Sequence, residues 1–245
     1  MEGSEFAFDE LNIVARGAFT PITLTPAWLG EHQLISDDDI QNAKVEVISP
    51  AATVFVVGAF NIQITPDGLQ IATSDLAETE RARDLALGIL LGHRHTPLAA
   101  LGLNRTIHYS PGSEGAWHSI GDQLVPKGIW EEQGILNFPG MADATLQGAR
   151  SDKYGGYVRV QVQPSMKLPF AVFIGVNDHF SLTRVQNQPT KRETPTEESG
   201  LVSGSFSLEK NAVAQQVLAE EWGAFLERSE KAIRFISTLG GGRRK

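Results

Sequence analysis

The chain has 245 residues, 41% of them hydrophobic and 20% charged, with a formal net charge of -8 and no cysteine. That composition suits one large or two small globular units and excludes disulfides and thiolate metal sites. An acidic balance also repels a phosphate backbone, so nucleic acid is an unfavoured partner by net charge.

In chain order, residues 1–10 read as an N-terminal extension or tag and 11–97 as a first α+β unit. Leu11 to Phe19 alternates as a strand, and Pro21 and Pro26 break it. Ala27 to Ile35 then reads as a short helix capped by Thr25, and Asp37-Asp38-Asp39 as a second helix start or a solvated turn. Lys44 to Ile48 is a strand. Thr53 to Thr65 is long for one strand and carries Gly58, a bulge, bend or turn signal, in its middle. Pro66-Asp67-Gly68 turns the chain back into Leu69 to Thr73. A helix opens near Asp75, places Ala82, Leu85, Ile89 and Leu90 on one face, and stops near Gly92.

Residues 98–239 read as a second unit. Leu98 to Tyr109 is a strand and Gly115 to Leu124 a short helix, with an irregular stretch from Trp130 to Arg150 whose end, from Thr145, extends. Tyr157 to Val162 alternates, with Tyr157, Arg159 and Gln161 on one side and valines on the other. Leu168 to Val176 is the most apolar strand, expected at the centre of the sheet with Tyr157–Val162 as its neighbour. Residues 186–204 form a polar loop expected to be mobile. One long helix is expected from Leu208 to Leu239, capped by Ser207, with Gly223 as a bend. Residues 240–245 form a basic tail.

The two units echo one another. Phe19-Thr20-Pro21, Ala27-Trp28 and Gln33-Leu34-Ile35 are answered by Tyr109-Ser110-Pro111, Ala116-Trp117 and Gln123-Leu124-Val125, about ninety positions on. The expected fold class is therefore α+β: a duplicated strand–helix–antiparallel meander–helix module, with a mostly antiparallel sheet backed by two long helices. In element order, though in no sequence motif, this is similar to the duplicated saddle of the TATA-box-binding proteins.

Four sets of residues are candidates for chemistry or binding. His93 and His95, with His108 near in sequence, have a spacing that suits metal ligation on a strand, but they fall at a helix end, where a cationic imidazole complements the dipole. Asp178 and His179, in the triplet Asn177-Asp178-His179, combine as orienting carboxylate and general base only if the chain turns there, because neighbours on a strand point opposite ways. Trp28, Trp117 and Trp222 are core residues or interface anchors. Arg81, Arg83 and Arg94 are a solvated helix face or contacts to an acidic partner. No catalytic residue or metal site is assigned beyond these candidates, and no cofactor is expected. Dinucleotide, P-loop, nucleophile-elbow and zinc-protease motifs are missing.

His95-Thr96-Pro97-Leu98-Ala99-Ala100-Leu101-Gly102-Leu103-Asn104, with Pro164-Ser165 and Phe170–His179, resembles a sporadically distributed, uncharacterised family of bacterial proteins. The resemblance covers about half the chain and implies a mobile-element or anti-phage setting; it carries no catalytic residue. The expected function is a non-enzymatic protein-binding or assembly subunit in such a system. Its partner is a protein or a further copy of itself. The alternatives are a histidine- or metal-dependent hydrolase or nuclease-like enzyme and a saddle-type nucleic-acid binder. No stretch reaches the roughly 18 apolar residues of a membrane helix, and no signal peptide is visible, so a cytoplasmic location is expected.

Overall fold

The computed structural model describes residues 5–184 and 206–240. The expected loop at 186–204 and the tail beyond Gly240 lie outside the described residues. The chain forms one nine-stranded antiparallel sheet in the order β2-β3-β4-β5-β1-β6-β9-β8-β7. The first half contributes β1 (Glu5–Gly17), β2 (Lys44–Ile48), β3 (Thr53–Val57), β4 (Phe60–Thr65) and β5 (Gly68–Thr73). The second contributes β6 (Leu98–Ser110), β7 (Ala144–Ala149), β8 (Tyr154–Pro164) and β9 (Val172–Arg184). Short helices α1 (Pro26–Glu31) and α2 (Asp37–Gln41) follow β1, and α4 (Glu114–Leu124) and α5 (Gly128–Glu132) follow β6. Each meander ends in longer helices: α3 (Thr79–Gly92) in the first half, α6 (Leu208–Glu220) and α7 (Trp222–Gly240) in the second.

This is the expected duplicated module. β1 and β6 lie side by side at the centre, and Ile13 pairs with Leu103, the offset of the sequence echo. A pseudo-two-fold relation therefore passes near that pair, with β5 against β1 answered by β9 against β6.

Local chemistry accounts for most elements. Thr25 caps α1 by accepting from the Trp28 N–H, with Pro26 at the first helical position. Ser36 and Asp39 close a capping box that starts α2, so the acidic run is a helix start. Gly58, at φ +54, turns the chain between β3 and β4, dividing the long apolar run into a hairpin. Along β4 the exposure alternates strictly, with Phe60, Ile62 and Ile64 buried. These side chains meet Ala82, Leu85, Ala86, Ile89 and Leu90 of α3 in the larger of two apolar clusters. The smaller one joins Ile107, Ile120, Ile174, Ile233 and Ile236 at the far end of β6, β9, α4 and α7.

Four expectations need correction. Residues 5–10 are no extension: they extend β1 along β6, past a bulge at Phe8, and the Asp9 carboxylate there receives two hydrogen bonds from Arg105, of 2.7 and 3.0 Å. The stretch from Trp130 to Arg150 is less irregular than expected, since α5 spans Gly128–Glu132. β9 begins at Val172, after a turn at Phe170 (φ +47), and runs on to Arg184, so Asn177-Asp178-His179 lies within a strand and not beyond its end. The C-terminal helix is two helices that part at Glu221. The break lets α6 lie beside α3 over β6 and β9 while α7 turns toward α4; one straight rod of about 45 Å could not follow both clusters.

Candidate functional site

The helices that bury side chains in the two apolar clusters, α1 to α4, α6 and α7, pack on one face of the sheet, while α5 buries no residue. The other face is free of these helices among the described residues, and its side chains alternate with the core positions of the same strands. On β8 these are Tyr157, Arg159, Gln161 and Gln163, the alternation visible in the sequence. Register assembles them into rows. In the central row Asn12 of β1 stands opposite Asn104 of β6, which faces Asn177 of β9, then Arg159 of β8 and Gln147 of β7. In the other direction the row runs through Ala72 and Asn61 to Val56 and Lys44. The adjacent row places Tyr157 against His179, then Gly102, Val14 and Gln70.

The central row holds two hydrogen-bonded groups, one from Asn177 to Asn12 and one between Arg159 and Gln147. Arg159 donates from Nε and Nη2 to Gln147 Oε1 at 3.0 and 2.8 Å, Asn177 Nδ2 donates to Asn104 Oδ1, and Asn104 Nδ2 donates to the Asn12 carbonyl at 3.2 Å. Asn12 Oδ1 at the end of the first group is buried without a hydrogen-bond partner. Beside the row the Tyr157 ring stacks on His179, centroids 4.6 Å apart and 16° from parallel. Burial, with the Arg159 and Arg150 charges, holds the His179 imidazole below its usual pKa, so it is a neutral aromatic surface at neutral pH. On the next row Glu10 stands opposite Thr106. These three rows thus hold Arg159 and Lys44 against Glu10, with the Asp143 carboxylate accepting from Gln161 at the end of the same row, in a chain of net charge -8. The acidic residues crowd the helices instead: Asp37, Asp38 and Asp39 start α2, and Glu209, Glu220 and Glu221 flank α6.

Asp178 and His179 point to opposite faces of β9. Asp178 is fully buried on the helix side, where it meets Arg228 of α7 and stands 3.3 Å from Arg150, just past β7. Arg150 reaches Asp152 at 2.5 Å and Glu221 at 3.8 Å, and its guanidinium lies over the Phe180 ring, 3.6 Å from the centroid. Burial, more than either arginine, governs Asp178 and pushes its carboxyl above the usual range; Oδ1 has no hydrogen-bond partner. Arg150 and Arg228 gave no sequence signal, since single arginines carry no periodicity.

The other histidines are apart. His93 ends α3 on the helix side, tilted against Trp28 at 4.6 Å, while His32 stacks on the same indole at 3.9 Å. Burial and the nearby His32 lower the His93 pKa. His95 meets Arg94 at 3.3 Å. His108 lies on the helix-free face, 2.7 Å from Ser165 Oγ, with its pKa lowered by burial and Lys167. Among the described residues no three His, Asp or Glu side chains gather as a metal-binding group.

Trp28 and Trp117 occupy matching places on α1 and α4. Trp28 leaves no room for a Cβ at Gly92, the last residue of α3, whereas Trp117 donates from Nε1 to the Ala171 carbonyl at 3.1 Å. Both are half-buried. Trp222 is 2% exposed and donates to Glu80, so its indole belongs to the core at the helix break. Arg81 and Arg83 pair with Glu78 and Glu80 on the α3 surface. No helix among the described residues is long and apolar enough to cross a membrane. Comparison with known proteins finds no family model that matches this chain and no similar curated protein.

Proposed function

We propose that this chain is a non-enzymatic binding or assembly subunit that docks a protein through the helix-free face of its sheet. The observation that carries this is the row of polar side chains from Asn12 to Gln147, flanked by the Tyr157–His179 stack. Amides, an aromatic pair and a guanidinium suit a partner surface rich in carbonyls and carboxylates, because they offer donors and flat apolar area with little side-chain entropy to lose. A place in a bacterial defence or mobile-element system is part of this proposal and rests on the sequence resemblance.

The test is chemical cross-linking of the chain in its host cells, followed by identification of peptides joined to β8 and β9. Arg159→Glu and Tyr157→Ala should remove the joined partner, while Lys231→Glu on the exposed side of α7 should keep it. Loss with Lys231→Glu alone would place docking on the helices and end this reading.

One observation favours a second reading, a saddle-type nucleic-acid binder. The acidic charge is concentrated on the helix side, so net charge does not describe the face that would meet a phosphate backbone. A labelled oligonucleotide retarded at about 50 mM salt, where phosphate contacts are strongest, and released by Arg159→Glu, would favour this reading over the first; no retardation would dismiss it.

A further inference from the structure

The two halves treat their matching tryptophans differently. In the first half the chain itself covers Trp28. His32, four residues on, stacks on the indole with centroids 3.9 Å apart and 25° from parallel, and its Nδ1 lies 2.9 Å from the Trp28 carbonyl oxygen. Side chains four apart on a helix stand one above the other, so this stack follows from the spacing. In the second half the residue four after Trp117 is Gly121, which has no side chain to lay on the indole. His118 and Phe170 approach Trp117 instead, but at 60° and 72° to its plane, so neither stacks on it.

A recess opens beside Trp117 and Gly121. Its volume is about 60 Å³, several times the roughly 10–15 Å³ that one water needs. Met141, Pro164 and Val172 complete its apolar wall, and it shares His118 and Lys127 with a wider cleft of about 610 Å³. Asp122 and Glu131 line the cleft and not the recess. The groups around the recess are held in place. Trp117 Nε1 donates to the Ala171 carbonyl. The Lys127 side chain is 15% exposed, its ammonium pairs with Asp122 at 2.5 Å, and it lies 3.7 Å from where a Cβ at position 121 would stand. An ammonium has three N–H donors, so the bond to Asp122 leaves others for an acceptor. A flat aromatic wall, apolar neighbours and a few placed donors are the make-up of a small-molecule site.

We infer that this recess binds a small planar aromatic carboxylate, whose ring takes on Trp117 the place that the His32 imidazole takes on Trp28, and whose carboxylate meets Lys127 and His118. The first half selects the shape, because there the same frame holds a flat ring on the same indole. The lining selects the charge. The recess has a buried ammonium and an imidazole at its wall and no carboxylate of its own, in a chain of net charge -8. A ligand carboxylate accepts from Lys127 by a charge-assisted hydrogen bond, which is stronger than a neutral one. The inference goes beyond the docking reading and does not depend on it, since none of these residues belongs to the row from Asn12 to Gln147.

Benzoate is the probe, titrated into the full isotope-labelled chain and followed by NMR at the indole N–H signals. The chain has 4 tryptophans, and Trp28→Phe and Trp117→Phe each remove one signal and so assign it. The Trp117 signal should shift saturably, while the Trp28 signal stays, because His32 covers that ring. Cyclohexanecarboxylate, with the same charge and no flat face, should bind about tenfold more weakly. Gly121→His, which copies the first half, should abolish the shift with the cooperative melt kept. Lys127→Gln should weaken benzoate about tenfold. No shift at Trp117 by about 10 mM benzoate, where even an inefficient ligand of this size half-saturates a true pocket, overturns the inference. So does cyclohexanecarboxylate that binds as tightly as benzoate, a Trp28 signal that moves with that of Trp117, a folded Gly121→His chain that still binds, or an unchanged benzoate affinity in Lys127→Gln.

Discussion

Where the first half of the sheet places Ile71 against Ile13, the second places Asp178 against Leu103. Following the registers outward, Ile71 faces Ile62 and Ile62 faces Phe55, while Asp178 faces Val158 and Val158 faces Gly148. Two residues beyond Phe55 stands Val57, 1% exposed; two beyond Gly148 stands Arg150. One backbone layout is thus filled with hydrocarbon in one half and with a buried ion cluster in the other. Under the hydrocarbon, α3 is continuous. Over the cluster the C-terminal helix breaks at Glu221, and Glu221 and Arg228 supply two of its charges. The lesson is that a duplicated frame tolerates very different cores, provided that a buried charge finds opposite charges on neighbouring elements.

The largest effect should come from forcing one half to resemble the other without its partners. Ile71→Asp puts a lone carboxylate among Ile62, Ile13 and α3, and should cost several kcal/mol, read as loss of a cooperative urea transition. Next, Arg150→Met leaves Asp178 with Arg228 alone and should cost about 3–5 kcal/mol, as for any buried pair with one member removed. The double change Arg150→Val with Asp178→Ile, which copies the first half, should recover most of that loss. If the double variant is no more stable than Arg150→Met, the cluster is doing more than filling space.

A smaller effect separates the halves by pH. His93 in the first half, and His108 and His179 in the second, all have pKa values lowered by burial. The unfolded chain therefore binds protons near pH 6.5 that the folded chain does not, so these residues contribute stability that is present at neutral pH and lost as the pH falls below 6.5. The melting temperature should drop between pH 7.5 and pH 5.5. His179→Gln and His93→Gln should each flatten that drop; a drop unchanged in both would assign it to other groups. The smallest effect is local: Ser36→Ala removes the capping box of α2, for which the second half has no counterpart, and should cost about 1 kcal/mol in thermal melts.

Much of the layout was legible because it is set by near neighbours. The helix starts at Thr25 and Ser207 follow from side chains that cap their own backbone, whereas the cap at Ser36 settled an acidic run that read equally as a helix start or a turn. The β4–β5 hairpin follows from alternation and a turn. The echo around Trp28 and Trp117 predicts the duplication, and the pairing of Ile13 with Leu103 agrees with it. The ends of β1 and β9 were misplaced, because Glu5–Glu10 reads as an N-terminal extension and Asn177–His179 is polar, and the strand conformation of both depends on ladders with β6 and β8.

The candidate site was less legible. Alternation placed Tyr157, Arg159 and Gln161 on one face, but it did not say which face, nor that Asn12, Asn104 and Asn177 share a row with Arg159. Asp178 and His179 were named together and serve opposite sides of the sheet. The break at Glu221 likewise answers to Arg150 and Asp178, which lie far from it in sequence.

The sequence by itself determined the duplicated order of elements, because caps, turns and hydrophobic period act within a few residues. Only the tertiary structure decided the polar row and the ion cluster. Each depends on the register between strands that are distant along the chain, and a shift of one residue would send every side chain to the other face.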